Sequence, residues 1–323
     1  MTKLAILFSA AAMALGVLLH AGAAVADATR TWVSGSIGSD SNPCTRMQPC
    51  ATFQAASDVT ATGGEIDVLD GGEFGPLSIF QSITIANDGA GTAAITPSGN
   101  GVYVMAAAGD VVVLRGLTIN GVNAGPSNDG IEAIGGGSLL IDHCQIKGFG
   151  GGMLFAPQTD GAGSLKMKDT VLSNDGASNA ASLWIRPSSG FAARVILERV
   201  QILNAIGNGV RVDGSLGGAV DAGLHDVTVD AASGGSGVVA VSQTSGGPAV
   251  SILADHVTST HNSGYGFKAS GGTAAVYLRG SVVEDNGVGL GASAGGQIFS
   301  YGDNSVAKNT SGAGVTPTAI PVE

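Results

Sequence analysis

The feature that most constrains this chain is an internal repeat. A short strand pattern opens, after a polar pair, at Leu117, Cys144, Thr170, Val200, Val227, Val257, Ser281 and Ser305, at intervals of 24 to 30 residues. Two residues past each landmark stand Ile119, Ile146, Leu172, Ile202, Val229, Ser259, Val283 and Ala307. Three before it stand Leu114, Ile141, Met167, Leu197, Leu224, Ala254, Leu278 and Gly302. Five before it stand Val112, Leu139, Leu165, Val195, Ala222, Ile252, Val276 and Ser300. Apolar residues two apart mark a strand with one face buried. One such unit cannot bury its apolar face alone, so successive units must stack.

The corner between the two strands carries its own signal. Just before each landmark come Gly116, His143, Asp169, Arg199, Asp226, His256, Gly280 and Asn304. Gly, Asn, Asp and His tolerate positive φ best, so a left-handed corner residue is expected in each unit. The position before that is always polar, as a solvated turn requires: Arg115, Asp142, Lys168, Glu198, His225, Asp255, Arg279 and Asp303.

A third strand opens each unit, at Gly101, Gly130, Gly152, Ser182, Gly209, Gly237, Gly266 and Gly287. Three short strands per unit, stacked about 4.8 Å apart, describe a three-faced parallel β-helix of about ten coils. Its ends need caps. Ala51 to Thr60 reads as a short helix over the first coil, and the fading apolar column at Ser300, Gly302 and Ser305 marks the other end. The helical domain is expected over 27–309, followed by a polar tail over 310–323.

Residues 1–26 read as a secretory signal: Lys3 supplies the positive start, Leu4 to Leu19 the apolar core, and Ala24-Val25-Ala26 the cleavage site, with Ala23 and Ala28 as rival cuts. The mature chain is therefore expected in the periplasm or outside the cell, not inserted in a membrane, and a monomer. With 53 glycines, 5% aromatic and 12% charged residues, the composition fits many strands joined by tight turns. The net charge of −11 disfavours nucleic acid as a partner. Cys44 and Cys50, six residues apart in an exported chain, are expected to form a disulfide; Cys144 falls at an inward position as a buried free thiol.

The stretch from Ala51 to Gly89 (ATFQAASDVTATGGEIDVLDGGEFGPLSIFQSITIANDG) resembles the opening of pectin-lyase-like right-handed β-helix proteins. There a capping helix precedes GG-x-I-x-V and a later x-S-I-T-I. The coil pattern extends the resemblance from about Thr31 to Asn309, and it implies a right-handed helix. It implies no particular chemistry, because that superfamily mixes lyases, hydrolases, epimerases and non-catalytic binding proteins. The Asn-Thr-Asp, Asp-Asp, Gly-His-Gly and Arg-Ile-Lys set of polygalacturonases is missing. Tyr265-Gly266-Phe267 matches the start of the mannuronan epimerase motif, but Lys268 follows where the Asp would stand. Ile141-Asp142-His143-Cys144 is similar to a pectate lyase motif, yet Asp142 and His143 belong to the corner column.

Enzymes of this fold bind glycans along the coil-opening strand, which makes its outer face the candidate surface. Its first outward column reads Tyr103, Glu132, Leu154, Trp184, Arg211, Val239, Lys268 and Gly289, and its second Met105, Ile134, Ala156, Arg186, Asp213, Val241, Ser270 and Gly291. Trp184, Arg186, Arg211 and Asp213 fall on neighbouring coils and form the candidate ligand-binding patch, since an aromatic face beside planar charged groups suits sugar rings. Glu132 and Asp213 are three coils apart, roughly 14 Å, too far for a glycosidase pair. No metal cluster or cofactor motif accompanies them. The expectation is an exported β-helix with a non-catalytic role, binding a polysaccharide or cell-surface glycan, or structural at the cell surface. The alternative is a polysaccharide lyase or hydrolase working on a glycan along the same strands.

Overall fold

The computed structural model describes residues 28–321 except 160 and 177–180; the expected signal segment lies outside the described residues. The chain winds through three parallel sheets. Sheet I has 12 strands, from Ala28–Val33 to Thr318–Ala319; sheet II has 10, from Gly72–Glu73 to Ser305–Ala307; sheet III has 9, from Leu77–Ile79 to Val288–Ser293. From Thr60 onward each coil visits I, II and III in turn, so strands consecutive in sequence lie in different sheets. Among the described residues nine coils carry a strand on every face. A tenth has strands on two faces and a bridge from Gly314 to Leu290 on the third.

The register follows from which side chains point inward. Val112, Leu139, Leu165, Val195, Ala222, Ile252 and Val276 stack in one row of sheet I, and Leu114, Ile141, Met167, Leu197, Leu224, Ala254 and Leu278 in the next. Every residue of both rows is buried. Side chains in such a row touch their own kind above and below, and burying each contributes about 1.5–3 kcal/mol. The interior is one continuous hydrophobic column from Val33 to Ile298.

The corner behaves as its residue types require. Gly116, His143, Asp169, Arg199, Asp226, His256 and Gly280 all have φ between +48° and +70°. A second left-handed column, not anticipated from the sequence, turns the chain from sheet II toward III: Gly148, Asn174, Asn204, Ala231, His261, Asp285 and Lys308. Outside the first corner, charges of opposite sign meet across coils, as in Lys168–Asp142 at 3.1 Å, Arg199–Asp169 at 2.6 Å and Lys166–Glu198 at 3.0 Å.

The last coil departs from the expected count. Ser305 pairs with Val282, so the partner of Ser281 is Asn304, and Val306 rather than Ala307 follows Val283 in the inward row. In sheet I the rows continue to Ile298 and Ser300, not to Ser300 and Gly302. In sheet III the coil begins at Gly289-Leu290, because Leu290 pairs with Phe267; the outward residues are Gly291 and Ser293. Gly287-Val288 has the Gly-Val pattern of a coil start, and the mostly small residues that follow it carry little apolar contrast to mark the register. Beyond Asn309 the winding continues, and Thr318 and Ala319 pair with Phe299 and Ser300.

At the other end the helix Phe53–Asp58 is capped by Thr52, whose side chain accepts from the Ala55 amide. It buries Phe53 and Ala56, with Phe53 against Phe74 at 4.9 Å between ring centres. The side chain of Gln54 accepts from the Ser78 amide on the first strand of sheet III, satisfying an edge donor. The first strand of sheet I is covered by the loop closed by the Cys44–Cys50 disulfide, whose Cα atoms lie 4.7 Å apart: Trp32 donates to Cys44 O and Cys50 donates to Trp32 O.

Candidate functional site

The outer face of sheet III presents the expected column in register: Tyr103, Glu132, Leu154, Trp184, Arg211, Val239 and Lys268 are successive cross-strand partners. Trp184, Arg186, Arg211 and Asp213 come together as one cluster. Its internal order differs from an open patch. The guanidinium of Arg186 sits 4.8 Å from the centre of the Trp184 ring and that of Arg211 5.4 Å. Asp213 is buried, with 2% of its side chain exposed. It accepts from Trp184 Nε1 at 3.3 Å, Arg211 Nε at 2.9 Å and the Ser215 amide at 3.0 Å. Burial drives its carboxyl upward, but hydrogen bonds from Ser215 together with the Arg211 charge outweigh this and hold it below the usual range. Asp213 therefore braces the indole and the guanidinium rather than facing a ligand. Arg186 Nε is buried without a hydrogen-bond partner among the described residues, and its guanidinium stacks on the indole.

The open side of Trp184 faces the preceding coils. Gly151 and Ala181 follow Asp129 along the edge of sheet III, and their small side chains leave a cleft of about 170 Å³ walled by Trp184, Leu154, Met153 and Asp129. The Asp129 carboxylate leans over Gly151, so close that a Cβ there would lie 2.1 Å from Oδ1. No described side chain or amide donates to it. Burial and the neighbouring Glu132 push its carboxyl up to about 7. Glu132 is held differently: Asn100 Nδ2 donates to it at 2.7 Å, while Asn100 Oδ1 accepts from the Asp129 amide at 3.0 Å. One asparagine thus anchors both ends of an acidic strand segment. Farther along, a wider hollow of about 480 Å³ opens beside Tyr103, Asn100 and Gln54.

Asp129 stands one residue before the expected strand start at Gly130, and the strand in fact begins with it. An acid immediately before a coil-opening glycine, with a second acid three residues on, is the signal that would have found it. The Asp142-His143 corner gathers with Asp169 so that their ligating atoms lie within 4.8 Å of one another. Lys168 and Arg199 already compensate the two carboxylates, and all three residues belong to corner and ladder positions. Cys144 is buried, and burial pushes its thiol up to about 11, so it is an unreactive core residue.

The three parallel sheets form a β-helix with an aromatic cleft on the third. A solved structure similar to this chain is a rhamnogalacturonan lyase, with a TM-score of 0.54 and 12% identity, over 84% of this chain and 75% of that one. That likeness concerns the fold. No family model matches the chain, and no curated protein matches it.

Proposed function

We propose that the protein is an exported β-helix that binds a polysaccharide or cell-surface glycan along sheet III, with the cleft beside Trp184 as its anchoring subsite. The observation that carries this reading is the cleft itself. An indole held rigid by Arg211 and Asp213 forms one wall, and an Asp129 carboxyl with no donor among the described residues forms another. A braced aromatic ring beside free acceptors suits a sugar, which offers C–H faces to the ring and hydroxyls to the carboxyl. The similar rhamnogalacturonan lyase acts on a polysaccharide by its name, and the Cys44–Cys50 disulfide accords with a secreted or periplasmic location. Among the described residues no helix is long and apolar enough to cross a membrane. A glycan-array screen of the mature chain tests the reading. Binding to at least one glycan class, lost in Trp184→Ala, is expected; an array without signal on the folded protein removes the proposal.

A second reading has its own support. Asp129 and Glu132 lie beside each other in unlike environments, one bare with a raised pKa and one hydrogen-bonded. Two neighbouring carboxyls in unlike surroundings can divide acid and base roles. This favours a hydrolase or lyase acting on the bound glycan. Reducing-sugar release on neutral polymers and unsaturated product on uronate polymers test it: turnover abolished by Asp129→Asn and by Glu132→Gln establishes the enzyme, and no turnover on any of them leaves the binding protein.

A further inference from the structure

The molecule has two tryptophans, and only one belongs to sheet III. The other, Trp32, stands on the outer face of sheet I at its N-terminal end and lines a cleft of about 290 Å³. The cleft exists for a reason legible in the register. Trp32 pairs with Asp67, Asp67 with Ala86, and Ala86 with Arg115, so a methyl group sits between larger neighbours and leaves a hollow. The disulfide loop brings Arg46 to its rim.

The polar groups around Trp32 are fixed but not used up. Arg30 lies 5.9 Å from the Trp32 ring centre and donates through Nε to Asp67 at 2.5 Å, which leaves its other N–H groups open. Arg115 grips both oxygens of Asp88, at 2.7 and 2.8 Å. Arg46 has no carboxylate partner among the described residues, so its full fork of donors is available. The chemistry repeats that of Trp184: an indole on the outer face of a sheet, a guanidinium over it, and an aspartate one coil away holding that guanidinium.

We propose that this cleft is a second carbohydrate site, taking one neutral, hydroxyl-rich sugar ring on Trp32 with Arg46, Arg30 and Asp67 as its hydrogen-bonding rim. Neutrality follows from the charges that surround it. Arg30, Arg46 and Arg115 are balanced by Glu65, Asp67 and Asp88, so no net field favours a uronate over a neutral ring. Paired arginines and aspartates keep spare donors and acceptors side by side, the arrangement that reads vicinal hydroxyls, while the indole covers the C–H face. The site lies on a different sheet from the proposed Trp184 subsite and does not depend on it. Two sites on separate faces would let one molecule bridge two glycan chains.

Having two tryptophans makes the test selective. In Trp184→Phe, Trp32 is the sole indole, and its fluorescence reports this cleft alone. Titration with cellohexaose, xylohexaose and hexagalacturonate is expected to shift Trp32 emission with a neutral hexaose, and Arg46→Ala on that background to weaken the affinity about tenfold, the loss of one charge-assisted hydrogen bond. Should Trp184→Phe fold poorly, calorimetry on the otherwise unaltered protein and on Arg46→Ala reads the same loss. No response to any hexaose overturns the proposal, as does an affinity indifferent to Arg46→Ala; a response to hexagalacturonate alone overturns the neutral class. Because Trp184 is absent from the first titration, failure of the sheet III reading and failure of this one are told apart.

Discussion

Asp175 buries a carboxylate oxygen that has no hydrogen-bond partner among the described residues, and replacing it with asparagine should make the protein more stable. It occupies the corner row between sheets II and III that Asn262, Asn286 and Asn309 fill farther along. Each of those asparagines accepts an amide of the preceding coil through Oδ1: Ala232, Asn262 and Asn286 respectively. Asn286 Nδ2 also donates to the carbonyls of Ser259 and Glu284. Asp175 Oδ1 does the same for the Phe149 amide at 2.9 Å, but its Oδ2 is buried with no partner among the described residues. Burial pushes the carboxyl from an ordinary 3.8 to about 7. The folded state thus holds the proton more tightly than the unfolded chain. The cost is nil below about pH 4, grows as pH rises, and is complete above pH 7, where it is on the order of 4 kcal/mol. Asp175→Asn removes the charge and supplies an amide donor, the group that Asn286 uses toward two carbonyls at the equivalent position. Urea unfolding of both proteins at pH 4.5 and pH 8 measures it. The variant should gain several kcal/mol over the parent at pH 8 and little at pH 4.5. An equal difference at the two pH values, or a less stable variant at pH 8, refutes the reasoning.

Other consequences of the same physics are simpler to check. Leu197, fully buried in the second row of sheet I, should cost about 2–5 kcal/mol when cut to alanine, seen as an earlier urea midpoint. Ala231 holds φ at +60° in the second left-handed column, so Ala231→Gly should raise the melting temperature, the relief of about 1 kcal/mol of strain exceeding glycine's entropic cost. Replacing Cys44 and Cys50 by serine opens a short loop worth about 2 kcal/mol by chain entropy, and hydrogen exchange should quicken first at Trp32 and Ser34, whose amides donate to Cys44 O and Cys50 O of that loop.

Much of the fold could be read in the sequence because a solenoid writes the same constraint once per coil. A single Gly-Val or Ile-x-Ile pair is ambiguous, but seven in register are not, and the corner residues carried backbone conformation as plainly as the rows carried burial. Where the residues lost contrast the reading lost register, as at Ser300, Gly302 and Ala307. The candidate site was legible as an address and not as an arrangement. Trp184, Arg186, Arg211 and Asp213 were placed together by counting coils. That Asp213 would be buried under them depended on side-chain direction at a strand end, which periodicity does not encode. Asp129 and the Trp32 cleft were missed for related reasons. One stands a residue before the recognised strand start, and the other is assembled from a loop, two strands and the small Ala86 between them.

The proposed sugar site is the outer face of sheet III beside Trp184. A crystal structure of the mature protein soaked with the oligosaccharide that an array selects tests it most directly. Density for a pyranose lying between Leu154 and Trp184, with a hydroxyl at the Asp129 carboxyl, is the predicted result. A ligand seated on sheet II, or an empty cleft beside a saturating ligand bound elsewhere, would contradict it.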